Sequence, residues 1–386
     1  MSSPSQARRR QLRTWRPNPD GSGLLPVNAI DQGDETPCCL VDLASNDYLN
    51  LAQHPEVIAA ATKEMHQSGV GAGGSRLVSG SRPVHDQLEQ KLAHWLNRDR
   101  VLLYPSGFQA NLAAVLALAD RHTPVLADRL CHHSLLTGVQ ASGARLQRFA
   151  HNDLIDLNRK LERCRDRQPE HQPLVITESL FSMEGTSPNL SAMAELCSSH
   201  AARLLVDEAH ALGVLGDGGR GLSHALPNKA VTLLSGTFGK AFGSGGAFLA
   251  CDADLGETLL QTSGAFRYTT ALAPPLAAAA LAALRLIQHH PHWSEELIAT
   301  SQQWRSALAA AGWTRPGGTG PILPLVIGSD QAALDRQQIL EAAGLLSIAI
   351  RPPTVPEGTS RLRLVVRRSL PDGTLDALLH ALSLGS

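Results

Sequence analysis

Lys240 closes the run Ser235-Gly236-Thr237-Phe238-Gly239-Lys240, and upstream of it stands Val206-Asp207-Glu208-Ala209-His210. An amine past a Gly-rich turn and an acid at the end of an apolar strand have complementary chemistry. The amine becomes a nucleophile toward an aldehyde when its pKa is depressed near another cation and away from water. The acid can pair with a pyridine nitrogen and keep it protonated. Together they are the two ends of a pyridoxal-phosphate site, in which the cofactor serves as an electron sink. Ser235, Gly236 and Thr237 offer hydroxyls and amides for a phosphate, and His210 can reach the cofactor's phenolic oxygen. The same Asp-Glu-Ala-His would bind magnesium in a nucleotide motor, but that needs a GxxxxGK[ST] loop and none occurs. Leu234 stands where its first glycine belongs, and Ala241 follows Lys240.

Other segments offer contacts that are weaker one by one. Ser106-Gly107-Phe108-Gln109-Ala110-Asn111 lies between a strand and an apolar helix, so Gly107 and Phe108 are candidates for cradling a phosphate at a helix N-terminus; the alternative is a plain N-cap at Ser106. His132, in Cys131-His132-His133-Ser134, can stack on a flat ring. Two adjacent histidines suggest a metal, but no third ligand has suitable spacing. Gly71–Gly80 is a glycine-rich loop or a linker. Arg361-Leu362-Arg363-Leu364 alternates as a strand does, and one of its arginines can clamp a carboxylate or simply face solvent. Gly216-Asp217-Gly218-Gly219-Arg220-Gly221 matches GxGxxG but does not follow the first strand of a dinucleotide unit, so it reads as a surface turn.

Strand ends must position these residues. Apolar runs at Val101–Leu103, Val125–Ala127, Leu174–Thr177, Arg203–Val206, Val231–Leu234 and Ala247–Ala250 alternate with helical patterns such as Ala110–Ala119, Leu154–Arg165 and Leu190–His200. That alternation predicts a mostly parallel α/β sheet, with ligands beyond the carboxyl ends of its strands. Helices then follow over Pro275–Leu286 and Ser294–Ala311, and Pro316–Pro321 marks a boundary. A smaller α/β lobe is predicted from strands at Leu323–Ile327, Ser347–Ile350 and Leu362–Val366 and helices at Gln331–Ala343 and Asp372–Leu382. The expected division is an N-terminal segment 1–48 packing with the small lobe, a cofactor domain 49–290 and a small domain 291–386.

The chain has 386 residues, 43% of them hydrophobic, which is ample for two lobes. Its net charge of −1, without a basic tail, points away from nucleic acid and membrane surfaces. The six cysteines contain no CxxC, only the adjacent pair Cys38-Cys39, and fit a reducing, cytoplasmic setting. Pro274-Pro275 and Arg285 break the apolar stretch Ala271–Ile287 short of a membrane span. The N-terminus is rich in Ser and Arg and free of acids until Asp20, as transit peptides are, or else forms a short basic helix.

Taken in order, these motifs resemble the α-oxoamine synthases, pyridoxal-phosphate enzymes of the aspartate-aminotransferase (type I) fold. The likeness runs through Ser45-Asn46-Asp47-Tyr48-Leu49, Gly73-Gly74-Ser75-Arg76, Asp128-Arg129-Leu130-Cys131-His132, Phe181-Ser182-Met183-Glu184-Gly185, the segments around Asp207 and Lys240, and Ile350-Arg351-Pro352-Pro353-Thr354-Val355-Pro356. The resemblance implies that Lys240 is the Schiff-base lysine and proton-transfer base, that Asp207 pairs with the pyridine nitrogen, and that His132 stacks on the ring. It gives Ser182 and His210 to the phenolic oxygen, and Gly107, Phe108 and Thr237 to the phosphate. Thr269 or Thr270 would reach the phosphate of a homodimer partner. Arg363 would bind the amino acid's carboxylate; Arg13 and Thr354 match positions of the acyl substrate, and Asn46, Ser75 and His132 belong to the substrate side. The implied reaction is decarboxylative condensation of L-alanine with a pimeloyl thioester of CoA or acyl carrier protein. Ser75 stands where 5-aminolevulinate synthases place threonine, and the smaller side chain leaves room for alanine's methyl group. The alternatives are a sibling that uses glycine, serine or another acyl group, or a partner subunit that keeps the fold without activity. Two departures are Leu77, where the family pattern has histidine, and His133 beside the stacking histidine.

Overall fold

Six of the seven strands in the main sheet run parallel, and the inner ones are apolar because both their faces are covered. The computed structural model describes residues 6–18, 23–27, 39–227 and 229–384. Cys38, of the adjacent pair, and Asp20 lie outside them. Contacts divide the chain into a larger unit, Leu49–Phe181 with Ser187–Glu295, and a smaller one, Met1–Tyr48 with Ser182–Thr186 and Glu296–Ser386.

The larger unit is built on strands β1 (Arg100–Tyr104), β2 (Pro124–Asp128), β3 (Arg145–Phe149), β4 (Leu174–Glu178), β5 (Arg203–Asp207), β6 (Leu233–Thr237) and β7 (Ala247–Cys251), in the spatial order β1-β7-β6-β5-β4-β2-β3. Only β7 is reversed, pairing antiparallel with β6 and β1. β2, β4 and β7 are buried along their whole length, as strands covered on both faces must be. Alternate residues feed two cores. Val125, Leu174, Ile176 and Leu205 face one, with the helices Gly107–Leu118 and His133–Ser142; Leu126, Val175, Leu204 and Val206 face the other, with Leu154–Arg167 and Leu190–Ser199.

Two strands of this sheet differ from the sequence expectation. β3 went unread because Arg145-Leu146-Gln147-Arg148-Phe149 carries the charges of an edge strand and only Phe149 is fully buried. β6 begins two residues later than predicted and contains Ser235, Gly236 and Thr237 instead of ending before them. Those residues look like a turn but are paired on both sides, Asp207 with Ser235 and Thr237 with Ala247. Gly236 is required there: a Cβ would lie 2.4 Å from the ring of Phe248.

The smaller unit holds an antiparallel sheet of β8 (Ile322–Gly328), β9 (Ile348–Ile350) and β10 (Ser360–Val365), with β10 central, and the helices Asp330–Ala342 and Thr374–Ser383. Val41–Asp42 adds a parallel pair with Leu345–Leu346. Gln6–Arg8 form one 3-10 turn. The glycine- and proline-rich loop ahead of β8 is tied down by Arg305, which is fully buried. Its guanidinium donates to the carbonyls of Ser301, Gly317, Gly320 and Ile322 at 2.6 to 3.3 Å. Removal from water lowers its pKa to about 10. No helix among the described residues is long and apolar enough to cross a membrane.

Arg305→Met keeps the volume and removes the donors that reach the buried carbonyls of Gly320 and Ile322. The variant is expected to lose about 3 kcal/mol or more of unfolding free energy, measured by urea denaturation; an unchanged midpoint would show that the loop does not rely on this side chain.

Candidate active site

β4 and β5 end side by side at Glu178 and Asp207, β6 runs two residues further to Thr237, and residues at this edge of the sheet build the site. Glu178 pairs with Asp207, and Asp207 with Ser235, so three polar side chains leave neighbouring strands at one level. A cleft of about 190 Å³ opens beyond them. Its lining includes Gly107, Phe108, His132, Asp207, His210, Thr237 and Lys240, so seven residues singled out from the sequence meet in one place within the larger unit.

Asp207 forms the floor. It is 5% exposed. Its Oδ1 accepts from the amide of Ala209 at 2.8 Å, and its Oδ2 from Asn111 Nδ2 at 2.7 Å. Asn111 belongs to the helix Gly107–Leu118, one turn below its start. Its Nδ2 also donates to Ser134 Oγ at 2.9 Å, and its Oδ1 accepts from Ser235 Oγ at 2.6 Å. His132 caps the helix His133–Ser142. Its main-chain amide donates to Glu178 Oε1 at 2.6 Å, and its ring faces the open cleft. The packed atoms around the imidazole lower its pKa; Lys240 and His133 push the same way and Asp207 opposes them.

At the other end the chain offers donors. Ser106 Oγ accepts from the amide of Gln109, leaving the amides of Gly107 and Phe108 at a helix start without intrahelical acceptors. Thr237 Oγ1 donates to Gly246 O at 3.0 Å. A Cβ on Gly107 would come 3.7 Å from that hydroxyl, so the glycine keeps the space between them open. Lys240 lies half-buried past the end of β6.

Glu208 gives this arrangement its rigidity. It is fully buried, and burial raises its pKa against the pull of its hydrogen bonds. Ser179 Oγ, Ser223 Oγ and the amides of Ser223 and Leu222 all donate to it. The Gly216–Gly221 turn closes onto this carboxylate: a Cβ on Gly221, where φ is +81, would sit 2.6 Å from Glu208 Oε2. The GxGxxG match is therefore a packing device for the loop that carries His210.

In the smaller unit, Arg363 donates from Nε to Ser182 O at 2.6 Å and from Nη2 to Asn46 Oδ1 at 2.8 Å. Arg361 takes Met183 O and Glu184 instead. Both arginines are buried, so this is no solvated strand face. Thr354 Oγ1 accepts from Arg10, and Arg13 pairs with Glu341 at 2.6 Å and covers the ring of Trp15. In the larger unit the shielded hydroxyl of Ser75 makes no hydrogen bond. Thr270 is exposed, beside Ala271, whose amide donates to Gly74 O. Sequence reasoning singled out neither Asn111, Ser134, Glu178 nor Glu208. The polar Asn111 in a helix that is otherwise apolar beyond Gln109 was the available signal.

Residues 39–382 match the family Aminotransferase class I and II. The chain is 42% identical to the 8-amino-7-oxononanoate synthase of Thioalkalivibrio sulfidiphilus, over 97% of this chain and 96% of that protein. Among solved structures, SPT with its PLP internal aldimine superposes with a TM-score of 0.85 at 27% identity, covering 90% of this chain and 87% of that one. The 8-amino-7-oxononanoate synthase of Francisella tularensis does so at 0.76 and 26%, covering 90% and 96%. The donor set suits pyridoxal phosphate: an amine, a buried acid for a ring nitrogen, and a helix start with a hydroxyl for a phosphate.

Glu208→Ala is expected to cost about 3 kcal/mol, read as a lower midpoint of thermal or urea unfolding, because four donors lose one buried acceptor. Wild-type stability in that variant would mean the carboxylate is not what fixes the loop.

Proposed function

The chain belongs to the class I and II aminotransferase family, and from that premise we propose that it makes 8-amino-7-oxononanoate. The substrates are L-alanine and a pimeloyl thioester, carried by CoA or acyl carrier protein; carbon dioxide and the free thiol are the other products, and the step serves biotin synthesis. The observation that carries this reading is the convergence of Lys240, Asp207 and His132 on one cleft in a chain so similar, end to end, to proteins of that name. The cofactor is pyridoxal 5'-phosphate. Once bound, it draws off the negative charge left when the amino acid's α-carbon loses a proton or carbon dioxide.

The chain supplies the proton transfers, the orientation and the charges. Lys240 Nζ is the base that takes the α-proton and returns it, a role suited to an amine at the edge of a partly closed site. Asp207, with both oxygens already engaged, keeps the ring nitrogen protonated. His132 stacks on the ring, and Ser182 and His210 bond its phenolic oxygen. Gly107, Phe108 and Thr237 hold the phosphate. Arg363 binds the amino acid's carboxylate with Asn46 beside it, and Ser75 leaves room for the methyl group. Arg13 and Thr354 serve the acyl chain, each by leaving the partner it now holds.

Self-association and compartment belong to the same proposal. Val78 and Tyr268 are 82% and 79% exposed, and Leu77 is 51% exposed. The hydrogen bond from Ala271 to Gly74 joins their two segments. An apolar surface of this kind suits a second copy of the chain, with Thr270 contributing to the partner's phosphate site. The buried free thiols Cys131, Cys164, Cys197 and Cys251 suit the cytoplasm. A sibling that condenses serine with a longer acyl chain is the second reading, favoured by the closeness of the SPT fold.

Lys240→Ala is expected to abolish turnover while circular dichroism stays native; thioester-dependent thiol release by that variant would end the assignment. Arg363→Ala should raise the alanine KM by about ten- to a hundredfold, whereas an unchanged saturation curve removes it from the carboxylate site. A matrix of alanine, glycine and serine against pimeloyl, succinyl, acetyl and palmitoyl thioesters, scored by product mass, should give its highest rate for alanine with pimeloyl. A maximum elsewhere reassigns the substrate.

A further inference from the structure

Ser134 is fully buried at the start of the helix His133–Ser142, and the chemistry above gives it no part. Its hydroxyl lies 2.7 Å from His132 Nδ1 and 2.9 Å from Asn111 Nδ2. We propose that Asn111 and Ser134 form a polarised relay that holds the His132 imidazole neutral with its proton on Nε2, so that His132 presents a hydrogen-bond donor to the cleft.

The direction of each hydrogen follows from the partners. Asn111 places one end of its amide 2.7 Å from Asp207 Oδ2, and a carboxylate oxygen accepts. That end is therefore the NH2, since a carbonyl there would set oxygen against oxygen. Ser235 Oγ, 2.6 Å from the other end, donates to Asn111 Oδ1. The second N–H of Asn111 goes to Ser134 Oγ, which occupies a lone pair and leaves the serine's own hydrogen for His132 Nδ1. The main-chain amide of Ser134 points at the same nitrogen at 3.3 Å. A nitrogen that faces two donors is an acceptor, and in a neutral imidazole the proton then sits on the other nitrogen.

The surroundings keep the ring neutral. Partial desolvation opposes its charge, Lys240 and His133 do the same, and the field of Asp207 works against them; Glu178 is occupied with the main-chain amide of His132. Charging the ring on Nδ1 would also turn an N–H toward the amide of Ser134. Asn111 and Ser134 act through His132 and Asp207, so they are positioning residues. They also tie the acid of the floor to the ring above it in one chain of hydrogen bonds. The relay rests on bonds within the protein alone; only the use of the Nε2 proton rests on the function proposed above.

Nitrogen-15 NMR of histidine-labelled protein, recorded without substrate on the cofactor-free and the loaded forms, reads the tautomer directly. The His132 signals are assigned by their loss in His132→Gln. The wild type is expected to show a protonated Nε2 and a bare Nδ1. Ser134→Ala should shift the ratio toward the Nδ1-protonated form by roughly three- to tenfold, the effect of losing one ordinary hydrogen bond. Ser134→Thr, which keeps the hydroxyl, should restore it. A wild-type ring protonated on Nδ1, or an unchanged ratio in Ser134→Ala, overturns the relay; a serine that only fills space would give the latter. If Ser134→Ala does not fold, the wild-type spectrum and Ser134→Thr decide the matter. Because no substrate is present, failure of the relay and failure of the functional reading register separately.

Discussion

The carboxylate of Asp207 is the point on which the rest of the site depends. An ionised acid at the end of a buried strand is expensive unless its oxygens are engaged. Here the main chain two residues on and one asparagine engage them. Everything that fixes the asparagine then matters to the acid: the helix that carries Asn111, the hydroxyl of Ser235 on the next strand, and Ser134 at the head of another helix. The parallel sheet is what makes this possible. Because Glu178 of β4, Asp207 of β5 and Ser235 of β6 stand in register, residues distant in sequence arrive at one level without any loop having to reach.

Much of this was legible in the chain. Strand and helix alternation is written in runs such as Leu174-Val175-Ile176-Thr177, whose residues are apolar because both faces are covered. The acid, the amine and the stacking histidine could be named because each ends or follows such a run. What could not be read is of two kinds. β3 hides because an edge strand has no reason to be apolar. Asn111, Ser134, Glu178 and Glu208 hide because a polar residue's value lies in partners that only the folded chain supplies. Nothing local to Glu208 foretells that Ser179, Leu222 and Ser223 converge on it.

The smaller unit shows the same logic with the charges inverted. Arg305, Arg361 and Arg363 are all buried, and main-chain carbonyls rather than carboxylates satisfy most of their donors. A guanidinium suits that task because it has five donors and keeps its proton even when desolvated. On β10 the alternation of arginine and leucine resembles an amphipathic, half-solvated strand, yet both sets of side chains are enclosed.

Gly236 illustrates a wider consequence. With the ring of Phe248 pressed onto it from the neighbouring strand, neither position is at liberty to drift on its own. A survey of single substitutions through Ser235–Thr237 would record intolerance and credit it to catalysis, although the cause at the middle residue is steric. Homologues that place alanine there should carry a smaller side chain across the ladder, so the two sites would vary in concert over evolution.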